Sequence, residues 1–544
     1  MPPAIRSAIA ADTLTQRAGR WPLRAPKPRS AATPVRHRLH TLRHPWLLAA
    51  ALVPLALVAL PIVYAVLRAM QAGWTGVRTE LLRAYTFELL ANTLILATGV
   101  MLLSAFIGLS VAWCIERTDL PFRRFWRVAA GLPYVIPAFV SSYAWSSISV
   151  YFQSMAGAIL ILSLAVYPLV YLPVAAALRS TDPGFEDVSR ALGYGPWRTF
   201  ARALMPQLLP ALGGGALLVL THMFAEFGGL AMLRVQTFTT AIFEAYELQF
   251  DSASAALQAI VLMLLCIPAA WGEMHLRIGR RFARVGGGSA RAATPVRLGR
   301  RTWPVLGAFG VLGVLSLGVP LTTLAYWLFT GHSAGRGYDQ IWPAIEGTVT
   351  LAGSGAVLTS LIAIPLVLLA VRERGRLAQL AERLPYIVHG LPGVVIALAL
   401  VFLSIRGVPG LYQTAALLLV AYAVLFLPLA QSSLRASAEL LPPQLENIAR
   451  SLGKRPLGAF ISVILPNIAP GIGAALALMT LEIGRELTAT LMLAPTGTTT
   501  LATQVWSYTA DGEYAAAAPF AALLIAISII PVWVFTRRSL RHGR

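Results

Sequence analysis

The stretch Glu446–Pro466, ENIARSLGKRPLGAFISVILP, interrupts a long apolar C-terminal half with a charged helix, a glycine and a proline. A near-copy, EDVSRALGYGPWRTFARALMP, occupies Glu186–Pro206. Placed 260 residues apart without a gap, 183–213 and 443–473 share ten identities. They are Pro183/Pro443, Glu186/Glu446, Arg190/Arg450, Leu192/Leu452, Gly193/Gly453, Pro196/Pro456, Phe200/Phe460, Pro206/Pro466, Pro210/Pro470 and Gly213/Gly473. Chance gives about two at ordinary composition. The same offset continues to Glu226/Glu486, Met232/Met492, Thr239/Thr499 and Thr240/Thr500, and "GLP" at 131–133 recurs at 390–392. The chain is a tandem duplication.

The surroundings of the two copies are those of a membrane protein. Of 544 residues, 57% are hydrophobic and 12% charged, against about a quarter charged in a soluble protein. Twelve apolar stretches are long enough to span a bilayer: 46–68, 92–115, 127–150, 156–178, 207–232, 254–272, 304–328, 347–371, 385–404, 411–434, 467–493 and 515–536. The expected fold is an all-α polytopic membrane protein of about 12 transmembrane helices in two six-helix repeats. Six is even, so both repeats enter the membrane in the same direction. Parallel repeats imply a pseudo-two-fold axis along the membrane normal and a pathway at their interface. The expected division is a basic tail (1–44), a first repeat (45–275), a linker (276–303) containing RVGGGSARAATP, a second repeat (304–537) and a short tail (538–544). The linker has the composition of a flexible connector.

Net charge is +21, almost all from arginine, since Lys27 and Lys454 are the only lysines. The charge flanks the spans. Nine basic residues precede residue 45 against Asp12, and 277–301 holds eight arginines and no acid. The short stretches 116–127 and 372–383 are also arginine-rich, whereas 235–252 and 494–514 carry Glu244, Glu247, Asp251, Asp511 and Glu513. On the positive-inside rule this alternation places both termini, the linker and the basic loops on the cytoplasmic side. It argues against nucleic-acid binding and against a cleaved transit peptide at the N-terminus. Cys114 and Cys266 lie in apolar spans without a CxxC or a ligand cluster, and read as small hydrophobes rather than a disulfide or metal site.

The repeated insert reads as a helical elbow. Pro183/Pro443 suit a helix start, and Glu186/Glu446 fall in a first turn where a carboxylate complements the helix dipole. Val188/Leu192 and Ile448/Leu452 are i,i+4 apolar pairs, with Arg190/Arg450 on another face. Gly193/Gly453 fit a left-handed C-cap. Pro196/Pro456 open a second short helix that carries Phe200/Phe460 and ends near Pro206/Pro466. One such element reads as an amphipathic surface helix. Two related by a two-fold axis suit a two-fold-symmetric partner.

The pattern resembles the EAA loop of ABC importer permeases: an acid, two small residues, a Gly, then a hydrophobic–x–Leu–Pro. In strict register the usual Glu is replaced by Asp187 and Asn447, with Glu186 and Glu446 one residue earlier, and the usual Ala-Ala becomes Val188-Ser189 and Ile448-Ala449. The Gly-to-Pro spacing is kept in both copies. Two six-span halves fused head to tail are similar to the binding-protein-dependent ferric-iron permeases, and "LEIGRELTATLML" with "TLATQVW" (481–493, 500–506) adds to the likeness. The resemblance implies a type I ABC importer permease fold in the bacterial inner membrane. Ferric iron is the implied cargo, with thiamine as the alternative and other small solutes behind. A periplasmic substrate-binding protein and two ATP-binding subunits are the implied partners. ATPase coupling falls on Glu186, Asp187, Arg190, Gly193, Pro206, Glu446, Asn447, Arg450, Gly453 and Pro466.

The chain itself is expected to be no enzyme. A P-loop needs GxxxxGK[ST], and neither Lys27 in APKPRS nor Lys454 before Arg455 provides it. ATP and Mg are then used by the partner subunit, and no cofactor or metal by this chain. A secondary transporter needs no ATPase, but it does not explain paired elbows. The acids expected within spans are Glu226, Glu482 and Glu486, with Arg485 beside them. An intramembrane ionisable residue is a pathway candidate, although Glu482 and Arg485 at i,i+3 also read as a plain ion pair. Glu226/Glu486 are expected on the fifth helix of each half, offering oxygens suited to a hard cation. SSYAWSS at 141–147 lines a polar route or packs helices.

Overall fold

The computed structural model describes residues 45–181, 184–278, 295–330, 338–373 and 375–541. The expected N-terminal tail, Pro183, most of the linker and the last three residues lie outside the described residues, as do the side chains of Arg190, Pro196, Glu446 and Pro456.

The first half begins with α1 (Pro45–Leu81) and α2 (Ala84–Arg117). Next come α3 (Arg123–Ala129), a 3-10 turn (Leu132–Val135) and α4 (Ala138–Ile148), bent by 85° at the break. α5 (Met155–Val166) and α6 (Pro168–Ser180) form a pair bent by 42°. The elbow is α7 (Gly184–Ala191) and α8 (Pro196–Thr199). α9 (Met205–Ala225), α10 (Gly228–Met232), α11 (Phe238–Glu247) and α12 (Ser252–Ile278) complete the half.

The second half repeats this order. α13 (Thr302–Gly313) and α14 (Val319–Thr330) are joined by a π-helical turn and stand where α1 stood. α15 (Tyr338–Arg372) precedes a pair bent by 109°, α16 (Arg376–His389) and α17 (Gly393–Gly407). α18 (Ala415–Ala438) leads to the second elbow, α19 (Pro443–Ser451) and α20 (Pro456–Ala459). α21 (Leu465–Gly484), α22 (Thr488–Leu493), α23 (Leu501–Ala510) and α24 (Tyr514–Arg541) end the chain.

Among the described residues, eight helices are long and apolar enough to cross a membrane, and the three bent pairs raise this to eleven. The remaining expected span, 515–536, lies within α24 (Tyr514–Arg541). Several expectations need correction. The stretches 127–150 and 385–404 are broken rather than straight. The first break lies past the GLP triplet and the 3-10 turn, at Pro137, and the second falls on a GLP triplet, at Pro392; each proline stands just before the new helix and supplies no N–H to continue the old one. The expected fifth spans, 207–232 and 467–493, stop at Ala225 and Gly484. The second elbow helix does not end near Pro206 or Pro466. It runs into α9 and α21 through π-helical turns, Phe200–Leu204 and Phe460–Ile464. Pro206/Pro210 and Pro466/Pro470 withhold donors from the carbonyls four residues back, and a wider turn accommodates the gap.

The leading helices of each half pack on the other half. α1 lies against α15, α16 and α17 as well as α12, and α14 lies against α4 and α24. Tyr64 meets Phe402 at 5.1 Å, and Trp327 donates from its indole N–H to the Ser147 hydroxyl at 2.9 Å. Inside the first half, helices close on glycine. A Cβ on Gly108 would meet Val170 at 2.8 Å, and one on Gly215 would meet the Val170 Cα at 2.9 Å. Small residues let α2, α6 and α9 touch at backbone distance, the main source of attraction where lipid removes the hydrophobic drive. Large apolar side chains such as Leu102, Phe106 and Leu361 point outward on the spans.

The halves also match in hydrogen bonding. Thr93 on α2 accepts from the N–H of Phe238 (3.2 Å), and Thr348 on α15 from that of Leu501 (2.8 Å). Thr237/Thr240 and Thr500/Thr503 form matching capping boxes at the starts of α11 and α23. Thr239/Thr499 and Thr240/Thr500 are therefore not structural counterparts, because an insertion before α23 shifts the register.

Candidate functional site: the paired elbows and a charged cluster between the halves

Each elbow is built by its own few residues. In the first, Leu192 N–H donates to Val188 O (3.0 Å) and Tyr194 N–H to Ser189 O (3.2 Å). In the second, Gly453 N–H donates to Arg450 O (3.0 Å) and Lys454 N–H to Ala449 O (3.1 Å). This closure needs a left-handed residue, and Gly193 and Gly453 supply it with φ of +79° and +85°. Val188, Leu192, Ile448 and Leu452 are 54–77% exposed, an uncovered apolar stripe on each short helix. Asp187, Asn447 and Arg450 are exposed around it.

Glu186 differs from this pattern. It is buried, and its carboxylate lies 3.0 Å from the guanidinium of Arg117, which is also buried. Arg117 ends α2 and donates to Leu178 O at the end of α6 (3.1 Å). Its own carbonyl accepts from Val296 N–H (2.8 Å), and Asp119 takes the N–H of Leu298 (2.8 Å) and gives its own N–H to Val296 O (3.2 Å). The chain leaving the linker is thus tied to the helix end that holds the first elbow. Pro206 and Pro466 are exposed in the first turns of α9 and α21. Of the coupling residues, Arg190 and Glu446 have side chains outside the described residues.

The pathway candidates sit elsewhere. From Phe200 to Ala225 the helix has 26 residues, roughly 39 Å of rise away from the elbow. Glu226 and Glu486 do not lie on this fifth helix, as expected from the sequence, but just past its end. There they cap the next short helix. Glu226 accepts from Gly229 N–H (2.8 Å). Glu486 accepts from the N–H groups of Ala489 (2.9 Å) and Thr490 (3.0 Å) and from the Thr490 hydroxyl (2.9 Å).

Glu482 and Arg485 pair, with contacts of 2.6 and 3.1 Å. Arg485 also reaches the first half. It donates to Tyr134 O (3.2 Å) and lies 4.8 Å from the centre of that ring. The His222 ring is 6.5 Å from the Tyr134 ring, and its Nε2 is 3.9 Å from Glu226. Among the described residues no group of three or more His, Cys, Asp or Glu is arranged to hold a metal ion. Beyond Glu226, Phe227 packs on Phe243 (4.6 Å) and Trp506 (5.2 Å). These rings, with Arg234, Gln236 and Glu244, line a cleft of about 370 Å³. Of SSYAWSS, Ser141, Ser142 and Ser146 are buried, and Ser147 meets Trp327.

A sequence profile for the binding-protein-dependent transport system inner membrane component matches twice, over residues 106–276 and 363–541. The chain belongs to that family. Its duplication is a fusion of two permease halves, and it is a translocation component rather than an enzyme. The family works with substrate-binding and ATP-binding partners in a multi-pass inner-membrane assembly.

This permease is 41% identical to "Fe(3+)-transport system permease protein FbpB 2" of Haemophilus influenzae, over 89% of this chain and 96% of that one. It is 23% identical to "Ferric transport system permease protein FbpB" of Actinobacillus pleuropneumoniae, over 83% and 71%. "Sulfate transport system permease protein CysT" of Escherichia coli is 25% identical over 41% of this chain and 88% of its own length.

The sequence reading overlooked Arg117, Tyr134 and His222. A signal existed for His222, which stands at the position of Glu482 in the duplicate. Arg117 was one arginine in a basic run, and only the fold singles it out.

Proposed function

We propose that this permease carries ferric iron from a periplasmic binding protein into the cytoplasm, driven by ATP. Two ATP-binding subunits dock, one on each elbow. ATP and Mg belong to those subunits, and this chain binds no cofactor of its own. Both termini and the linker face the cytoplasm, in line with the arginine distribution. The observation that carries the coupling is the pair of glycine-closed elbows with uncovered apolar stripes. A soluble monomer rarely leaves such patches open. The cargo rests on the likeness to the Haemophilus influenzae iron permease. In cells lacking siderophore uptake, deletion of the gene should abolish growth on ferric salts and iron-55 uptake. Unchanged iron uptake with a loss of thiamine or sulfate uptake would refute the iron assignment.

A further inference from the structure

The last turns of α9 and α21, with the residues that follow, align as HMFAE (222–226) and EIGRE (482–486). The glutamate that ends both segments caps a short helix in both halves, so the shared fold explains Glu226 and Glu486. It does not explain Arg485, because Ala225 holds the equivalent position in the other half. Nor does it explain Glu482, whose counterpart is His222. The backbone is made twice and the charge pair once.

The pair bridges the halves. Arg485 grips Glu482 with two nitrogens, donates to the carbonyl of Tyr134 and covers its ring. Tyr134 lies in the 3-10 turn at the break of the bent pair before α4, and Arg485 follows the break after α21. Irregular backbone at membrane depth is tolerated where it lines a cavity or is buried in protein. Alternating access moves one repeat against the other about the site between them. Such a motion would part Arg485 from Tyr134 and uncover toward the pathway a pair whose side chains are here only 12% and 21% exposed. An arginine and carboxylate separated in such surroundings leave uncompensated charge.

We propose that Arg485 is the latch of the translocation pathway. It closes the resting protein by standing in for the cargo cation on Glu482, and an arriving cation displaces it. Glu482 and His222, across the pseudo-two-fold axis from each other, meet the passing cargo, while Glu226 and Glu486 hold the short helices. From the proposed function this takes only that the cargo is a cation.

The test is the assembled transporter, with its ATP-binding subunits and binding protein, in liposomes that trap a manganese-quenched dye. Passive manganese entry without ATP reads the latch, and ATP hydrolysis without cargo reads the coupling. Arg485→Gln and Glu482→Gln should each raise the leak at least tenfold and raise cargo-free hydrolysis. Arg485→Lys keeps a charge but loses the two-pronged grip, and should leak several-fold. Ala225→Ser, at the equivalent position, should stay tight. If Arg485→Gln fails to assemble, Arg485→Lys and Glu482→Gln carry the same reading. Tight vesicles in the assembled variants, whether transport survives or falls, would overturn the latch and leave the iron assignment standing. Uptake of a different cation by the unaltered protein would overturn the iron assignment and leave the leak result intact.

Discussion

The guanidinium of Arg117 lies 3.0 Å from the carboxylate of Glu186, joining the end of a membrane helix to the first elbow. Both side chains are almost fully buried, so removing one partner leaves a charge without compensation. Arg117→Ala should release the elbow, at a cost of about 3–5 kcal/mol. Detergent-solubilised protein should keep its spans but retain the ATP-binding subunit poorly. Arg117→Met with Glu186→Leu should recover much of the thermal stability, because apolar replacement of a buried pair is often neutral.

Arg372 stands in the second half where Arg117 stands in the first. Arg117 follows Thr93 by 24 residues and Arg372 follows Thr348 by 24, and the two threonines make equivalent bonds. Arg372→Ala should therefore weaken cross-linking of an ATP-binding subunit to a cysteine at Leu452 more than at Leu192. Equal loss at both positions would show that the elbows are not held independently.

Among the described residues, the linker meets the helix end that holds the first elbow. Val296 N–H donates to Arg117 O, and Val296→Pro removes that donor, worth about 1 kcal/mol. Cross-linking at Leu192 should fall several-fold while cross-linking at Leu452 holds. A symmetric change would refute a local role for this contact.

The two capping glutamates are unequal. Glu486 accepts two backbone bonds and one from a hydroxyl, whereas Glu226 accepts one from Gly229. Glu486→Ala should lower the unfolding midpoint in detergent more than Glu226→Ala. The expected losses are about 1–3 kcal/mol and about 1 kcal/mol, respectively.

Apolar runs and repeated turn residues made the spans, the duplication and the elbows legible in the sequence. Gly193 and Gly453 announced a left-handed closure because few other residues adopt it. Hydropathy averages over about 20 residues, so it merged α9 with α10 and hid the breaks just before α4 and α17. For the same reason Glu226 and Glu486 read as charges inside a helix, when each one begins the next. Arg117 with Glu186, and Arg485 with Tyr134, pair across long sequence separations that no local pattern carries.

The central claim is that the two glycine-closed elbows dock the ATP-binding subunits. Among the described residues, no atom beyond the immediate chain neighbours lies within 4 Å of a Cβ built on Gly193 or Gly453, so valine there meets no distant clash among them. It strains the positive φ alone, by about 1–3 kcal/mol. The direct measurement is pull-down of the ATP-binding subunit together with transport in vesicles, for Gly193→Val, Gly453→Val and the double variant. Normal membrane insertion with weakened pull-down and lost transport, most completely in the double variant, is the predicted result. Normal pull-down and normal transport in the double variant would contradict the account.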